Sequence, residues 1–389
     1  MNQKKPLLAH ATAPFYVLLS GMGILIFMGL LMVLSASGVR AYANSGSSFA
    51  IVFRQFLWFG AGLLLGYVAY RMPTKGWRKL SSVLVIASAI MLLLVFVPGI
   101  GLEINGNRNW IPIGPFLIQP SEFAKLAMIL FCAFQLNKSE RSHRENGKVN
   151  PFLAIIPVTI IFIALIILGK DVGTALIFAG IAGSLLILAG IDYKYIVFTV
   201  IPAIILFVLL VITQPNRLKR FKALIDPFAP DVYKLAGWQP AHSIMGLASG
   251  GLFGVGIGDS KQKWANLAEA HTDFIFSVIG EEMGLFGTLL VIVLYSALIF
   301  AIFRTALKSK NTFHKYAVAG IGSWLALQVC TNLATNVGIA PVIGVTLPFI
   351  SYGGSSVIAN LVAIGFVLKV ALAQGGVDLE SKMKRKIAS

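Results

Sequence analysis

Residues 14–37 read PFYVLLSGMGILIFMGLLMVLSAS, an uninterrupted run without one charged side chain. A helix needs about 20 apolar residues to cross a hydrocarbon core of about 30 Å, and this run reaches that length. It also exceeds the roughly 7–15-residue apolar core of a cleaved signal peptide, so it is expected to be retained although Lys4 and Lys5 precede it. Working outward, apolar runs separated by polar breaks recur at 51–70, 80–97, 121–136, 152–168, 172–189, 195–213, 274–303, 316–336 and 349–371. The sequence thus predicts an all-α polytopic membrane protein of about ten transmembrane helices. A cytoplasmic N-tail (1–13) precedes a membrane domain (14–371) with a long extracytoplasmic loop (214–273) between spans seven and eight, and a basic C-tail (372–389) follows.

Composition agrees. Hydrophobic residues make up 57% of the 389 residues and charged residues 12%, against roughly 25% charged in an average soluble domain. A transmembrane barrel is excluded because its strands would alternate polar and apolar residues at period two. The net charge of +17 does not form a nucleic-acid patch, since the basic residues lie between apolar segments. An even number of spans puts both termini on one side. The loops on that side collect most of the Lys and Arg, while the short loops opposite hold only Arg40, Arg108 and Lys170, so the termini are expected in the cytoplasm. Lys382, Lys384, Arg385 and Lys386 in the C-tail suit contact with anionic headgroups.

Cys132 and Cys330 sit inside apolar segments, and the histidines follow no ligand spacing. No phosphate-binding P-loop, zinc helix or serine-nucleophile elbow is present, and Gly254-Val255-Gly256-Ile257-Gly258 does not complete a dinucleotide fingerprint. Chemistry must come from polar residues gathered toward the outer face. Asn105-Gly106-Asn107-Arg108-Asn109-Trp110 leads to Gln119-Pro120-Ser121-Glu122-Phe123-Ala124-Lys125, where Pro120 and Ser121 start a helix. Glu122 and Lys125 share a face of it. Two readings stand there: an anion site at a helix N-terminus carrying a lysine, or a self-neutralising pair.

His271-Thr272-Asp273 opens span eight, which carries Glu281 and Glu282 about 12 Å deeper at 1.5 Å per residue. Carboxylates at that depth cost about 2.5–3.5 kcal/mol each, so they are expected to face a polar interior. Asp171 with Thr174 reads first as a helix cap. Arg54 is either a snorkelling cation or a cavity charge. The Pro- and Gly-rich stretch 336–356, containing Ser351, reads as broken helix, tolerated only where protein or a cavity surrounds it.

Three blocks together resemble the SEDS family of ten-span bacterial glycosyltransferases that polymerise peptidoglycan. They are Gln119–Lys125, His271–Phe276 with Gly280-Glu281-Glu282, and Leu347-Pro348-Phe349-Ile350-Ser351-Tyr352-Gly353-Gly354-Ser355-Ser356. The run Ser37–Ala43 before Arg54-Gln55 is more similar to the division branch than to the elongation branch. The resemblance implies lipid II, a disaccharide-pentapeptide on undecaprenyl diphosphate, as substrate. It implies a class B penicillin-binding protein transpeptidase and other division-complex membrane proteins as partners, at the septum of the bacterial cytoplasmic membrane.

By that resemblance Asp273 is the catalytic general base. Lys125 and Arg108 hold the leaving diphosphate, Glu122 orients Lys125, and Trp110 lines the substrate path. Arg54, Asp171, Glu281 and Ser351 complete the expected substrate site, with Glu281 either a second chemical group or a structural anchor. No cofactor is implied beyond a divalent cation (Mg2+ or Mn2+) bridging diphosphate and carboxylate. This sequence departs from the family in having Asn109, where Arg often precedes the tryptophan, and Ala268 in place of a proline. Two rivals remain at this level: a flippase using Glu281, Glu282 and the broken helix, and a scaffold for division partners.

Overall fold

The first apolar run becomes α1 (Ala13–Ser45), which continues past residue 37 and stops at Gly46, in the left-handed region (φ 70°). The computed structural model describes residues 12–375 apart from 105, 115, 147–150, most of 193–214 and 265–266. Further helices are α2 (Ala50–Arg71), α3 (Thr74–Leu94), α4 (Pro120–Asn146), α5 (Pro151–Leu168) and α6 (Val172–Leu188). After them come α7 (Pro215–Ile225), α8 (Trp238–Ser249), α9 (Ile275–Lys308), α10 (Thr312–Asn336) and α11 (Gly354–Gln374).

Six helices among the described residues (α1, α2, α3, α9, α10, α11) are long and apolar enough to cross a membrane, with shorter apolar helices at Ile155–Leu168 and Val172–Leu188. Helix α4 also lies in the bundle, but it carries the charges of Glu122 and Lys125. The expected seventh span, 195–213, lies outside the described residues except at a few positions.

Three features differ from expectation. The chain is not purely helical: β1 (Leu102–Ile104), β2 (Asn107–Ile113) and β3 (Phe116–Ile118) form an antiparallel sheet in the order β1-β2-β3. Its short strands were hidden by the Asn- and Gly-rich sequence between them. The 214–273 loop is structured, holding α7 and α8. The last helix begins at Gly354 and not at 349, because Phe349 takes a left-handed conformation (φ 68°) and Gly353 is extended.

Close helix contact is set by small residues. Helix α2 packs chiefly on α11, where a β-carbon on Gly365 would meet the Gly66 carbonyl oxygen at 2.1 Å. Only glycine allows that approach. Helix α11 is buried nearly all round, whereas α2 and α3 turn most of their apolar surface outward, as lipid-facing helices do. Trp324, Phe313 and Phe366 fill the interior between α10 and α11.

Helix α9 is broken at Gly284 (φ 66°, ψ −161°). The break frees backbone groups, and the loop after α8 takes them up. Val255 and Gly256 donate to the carbonyls of Glu281 and Glu282, while Leu285 and Phe286 donate to Gly251 and Leu252. Non-helical backbone deep in a bundle persists only when so satisfied.

Candidate functional site

Asp273 sits two residues before the start of α9, with its side chain half-buried. Its backbone is clamped: the Asn332 and Asn336 amides of α10 donate to the Asp273 carbonyl at 2.8 and 2.9 Å. Asn336 also accepts from the Ser277 backbone N–H (3.2 Å) and hydroxyl (2.8 Å), tying the first turn of α9 to the same side chain. The Asp273 carboxylate has no side-chain hydrogen bond among the described residues. Burial first, and then the Glu269 and Asp171 charges, push it up from 3.8 to about 7, with the Arg220 charge pulling the other way. A carboxyl that titrates near neutrality and is held only through its backbone is suited to move a proton.

The neighbours of Asp273 are fixed by the segment between α10 and α11. Thr335 donates to the Pro341 carbonyl (3.2 Å), Asn332 to Val345 (2.7 Å) and Gln328 to Thr346 (3.0 Å). Tyr295 donates to the Pro348 carbonyl. A β-carbon on Gly344 (φ 73°) would lie 3.7 Å from Asp273 Oδ2, so glycine there keeps a side chain off the carboxylate. The broken-helix reading of this stretch is thus accounted for: side chains receive its buried carbonyls.

Asp171 caps α6 as expected, accepting from the Thr174 N–H (3.0 Å) and hydroxyl (2.8 Å). Its Oδ2 also accepts from Asn109 (2.9 Å) and Gln119 (3.4 Å). Asn109, the departure from the family pattern, therefore binds Asp171 by an amide. Gly173 brings α6 against the broken segment, since a β-carbon there would lie 2.5 Å from the Ile343 carbonyl oxygen. Arg108 pairs in register with Glu103 on the small sheet, and its N–H donates to the Gly169 carbonyl (3.0 Å). Together with Asn109 and Asp171 it borders a small cleft. Trp110 is half-buried on the same strand.

Lys125 is placed otherwise than a substrate-facing cation. It is 2% exposed, donates to Glu122 (2.8 Å) and Gln328 (3.2 Å), and lies 5.0 Å from the Trp324 ring centroid. Of the two readings left by the sequence, the geometry takes the self-neutralising pair, with Glu122 Oε2 left without a partner. Ser351 is also turned inward. Its hydroxyl donates to the Thr272 carbonyl (2.6 Å) and accepts from the Leu347 N–H (2.8 Å), which holds the broken segment against the Asp273 loop. Arg54 is exposed on α2 and, with Trp58, hydrogen-bonds the Tyr352 hydroxyl.

Glu281 is an anchor in this arrangement. It accepts from the Lys261 (2.9 Å) and Gln262 (3.3 Å) backbone N–H groups and from the Ser260 hydroxyl. Glu282 accepts from Ser35 (2.6 Å) on α1 and meets Lys263 at 3.4 Å. Their expected polar surroundings are therefore protein groups.

Sequence reasoning missed Gln328, Asn332 and Asn336, an i, i+4, i+8 series on one face of α10 that links Lys125 to Asp273. Such spacing of amides on an apolar helix was the signal to follow. It also missed Arg220 on α7, which no motif marks. Three non-glycine residues take positive φ: Lys170 (64°), Glu269 (58°) and Phe349 (68°). Lys170 adjoins Asp171, Glu269 accepts from Thr272 next to Asp273, and Phe349 lies two residues before Ser351. Local strain is commonly stored at such places. His271 is lowered from 6.5 to about 4, chiefly by burial, with Glu269 opposing and Arg40 adding. It is neutral at pH 7.

These features define a polytopic helical membrane protein with a carboxyl site at one end of its bundle, built from a broken helix, a small sheet and a structured loop. The chain belongs to the cell cycle protein family of FtsW, RodA and SpoVE, whose model matches residues 16–375. It is 37% identical over 351 residues to a Legionella pneumophila protein named "Probable peptidoglycan glycosyltransferase FtsW", covering 89% of this chain and 88% of that one. Its fold matches a chain of a peptidoglycan synthase complex that coordinates polymerization and crosslinking. There the TM-score is 0.72 and the identity 28%, covering 91% of this chain and 98% of that one. Thermus thermophilus rod shape determining protein RodA matches with a TM-score of 0.66 at 27% identity, covering 92% and 97%.

Proposed function

We propose that this chain is a peptidoglycan glycosyltransferase that polymerises lipid II into β-1,4-linked strands during septal synthesis, at the outer face of the cytoplasmic membrane. The observation that carries it is Asp273: a carboxyl raised to about 7, accepting no side-chain hydrogen bond among the described residues, within a family whose relatives bear that activity in their names. In the reaction, the acceptor sugar 4-hydroxyl gives its proton to the Asp273 carboxylate. Its oxygen bonds the donor anomeric carbon, the bond from that carbon to the diphosphate breaks, and the electron pair leaves with undecaprenyl diphosphate. Attack from the face opposite the leaving group inverts α to β. Arg108 and Trp110 flank the substrate path from the small sheet.

Among the described residues no three His, Cys, Asp or Glu side chains are placed to hold a metal ion. A Mg2+ or Mn2+ ion accompanying the diphosphate would take its other ligands from phosphate oxygens and water, adding positive charge at the leaving group.

We place about ten spans in the membrane with both termini cytoplasmic, which the Lys and Arg distribution favours. The match to a synthase complex supports a transpeptidase partner, for which a class B penicillin-binding protein is the proposal. The elongation alternative draws support from the match to RodA, but the relative named FtsW is more similar in sequence. A flippase reading draws less support, because Glu281 and Glu282 are engaged by neighbouring groups.

The test is to purify the chain with its transpeptidase partner, add labelled lipid II with Mg2+, and resolve the glycan on a gel. A ladder from the native chain and none from Asp273→Ala is expected. A ladder from both removes Asp273 as base, and none from either removes the polymerase reading.

A further inference from the structure

With Lys125 enclosed by Glu122, Gln328 and Trp324, Arg108 is left of the two cations expected to meet a departing diphosphate, and a second has to come from elsewhere in the site. We infer that Arg220 is that cation: the guanidinium on α7 binds the diphosphate of the lipid-linked donor beside Asp273. The assignment rests on the polymerase reading for the identity of its anion, and on geometry for its place.

Helix α7 carries Lys219, Arg220 and Lys222, all exposed. Arg220 Nη1 donates to the Val342 carbonyl at 3.0 Å, which fixes the guanidinium on the broken segment. Two residues further along that segment, Gly344 abuts the Asp273 carboxylate. Arg220 and Asp273 thus flank one short stretch of backbone, although the chain separates them widely. The Arg220 charge is felt at Asp273, where it opposes burial and the Glu269 and Asp171 charges.

Chemistry gives the arrangement a use. An inverting displacement sets base and leaving group on opposite faces of one carbon, so the diphosphate needs a cation that is near the base but set apart from it. Arg220, held on Val342 while Gly344 abuts Asp273, is placed that way. A fixed donor there acts most strongly on charge that develops in the transition state. Arginine suits the task because its planar fork matches phosphate oxygens two at a time and it stays charged at any working pH. Lys219 and Lys222 add positive potential on the same helix, which draws anionic headgroups toward it.

The test is binding, read independently of turnover. The full chain in zwitterionic nanodiscs is titrated with undecaprenyl diphosphate and undecaprenyl monophosphate, as native, Arg220→Ala and Arg220→Lys proteins. Arg220→Ala is expected to weaken diphosphate binding about tenfold, a typical loss for one charge-assisted contact. Arg220→Lys should recover part of the loss, and the monophosphate should change less.

Diphosphate affinity within twofold of native in Arg220→Ala overturns the assignment. So does a tenfold difference that vanishes when the nanodiscs contain phosphatidylglycerol, because the site would then be one for headgroups in general. The ladder assay on the native chain separates the two levels. A ladder with unchanged Arg220→Ala binding sinks Arg220 alone, whereas Arg220-dependent binding with no ladder keeps the anion site and sinks the polymerase.

Discussion

Asp273 and Glu281 lie eight residues apart around the start of one helix, yet their surroundings are opposite. Glu281 is 1% exposed and receives hydrogen bonds from two backbone amides and a serine hydroxyl, so its charge is fully taken up. Asp273 is gripped at its carbonyl by Asn332 and Asn336 while its carboxylate receives nothing from the described side chains. The difference teaches where chemistry can reside in a membrane bundle. A carboxylate that organises a fold is saturated with donors, whereas one that moves protons has its backbone held and its charge left destabilised.

The sharpest way to break this contrast is Asp273→Ala. Loss of a general base costs about 10²–10⁴-fold in rate, so lipid II polymerisation should fall by that factor, as read by glycan gel. Stability tells the same story with a definite sign. The folded-state value near 7 exceeds 3.8, so between those pH values the folded chain binds more protons than the unfolded one and loses stability as pH rises. Asp273→Asn should therefore melt higher than the native chain above pH 7, with the gap closing below pH 4. An Asn variant that melts lower at alkaline pH would show the carboxylate to be a structural anchor like Glu281.

The Lys125–Glu122 pair extends the comparison to a buried ion pair. Removing one partner of such a pair costs about 3–5 kcal/mol, because the other charge is stranded. Lys125→Met should lose that much thermal stability, and Glu122→Gln combined with Lys125→Met should recover most of it. If the double variant also recovers glycan synthesis, Lys125 never touched substrate. If it is stable and inactive, the lysine has a second role that its burial does not reveal.

Much of this was legible in the sequence, for physical reasons. Long uncharged runs can only be membrane helices, and the capping use of Asp171 follows from Asp and Thr three residues apart at a helix start. The strands at 102–118 escaped because they are short and interrupted by Asn and Gly. Ser351 and Lys125 carry the family pattern whether they face substrate or interior, so the pattern could not separate those cases; burial did. Arg220 escaped for the reverse reason: its importance comes from a contact with Val342, which local sequence does not encode.

A smaller effect tests Glu281 on its own terms. Glu281→Gln puts an amide nitrogen against donors that need an acceptor, and hydrogen bonds to a charged group contribute about 1.5–3 kcal/mol. A loss of stability of that order, read as a lowered melting temperature, is expected in the full chain. Activity among the molecules that remain folded should change little. A stable Glu281→Gln protein with lost activity would return Glu281 to the chemistry.

The smallest expected effect concerns charges that only influence Asp273 from nearby. The proton acceptor must be ionised, so the rate should rise as pH climbs through about 7, the value at which Asp273 sits in the folded chain. Glu269 and Arg220 act on that value in opposite senses, the first raising it and the second lowering it. Glu269→Gln removes a repelling negative charge, which eases ionisation, so the acid limb of the rate profile should move to lower pH by a fraction of a unit. Arg220→Ala removes a stabilising positive charge and should move it to higher pH. Glu269 also accepts from Thr272 (3.1 Å) and pairs with the exposed Arg40 at 3.5 Å, so part of any loss in rate could come from the loop and not from the charge. The direction of the shift is immune to that confusion. Loosening the loop lowers the plateau, while only the electrostatic coupling moves the two limbs apart, and limbs that move together would mean that the titrating group is not Asp273.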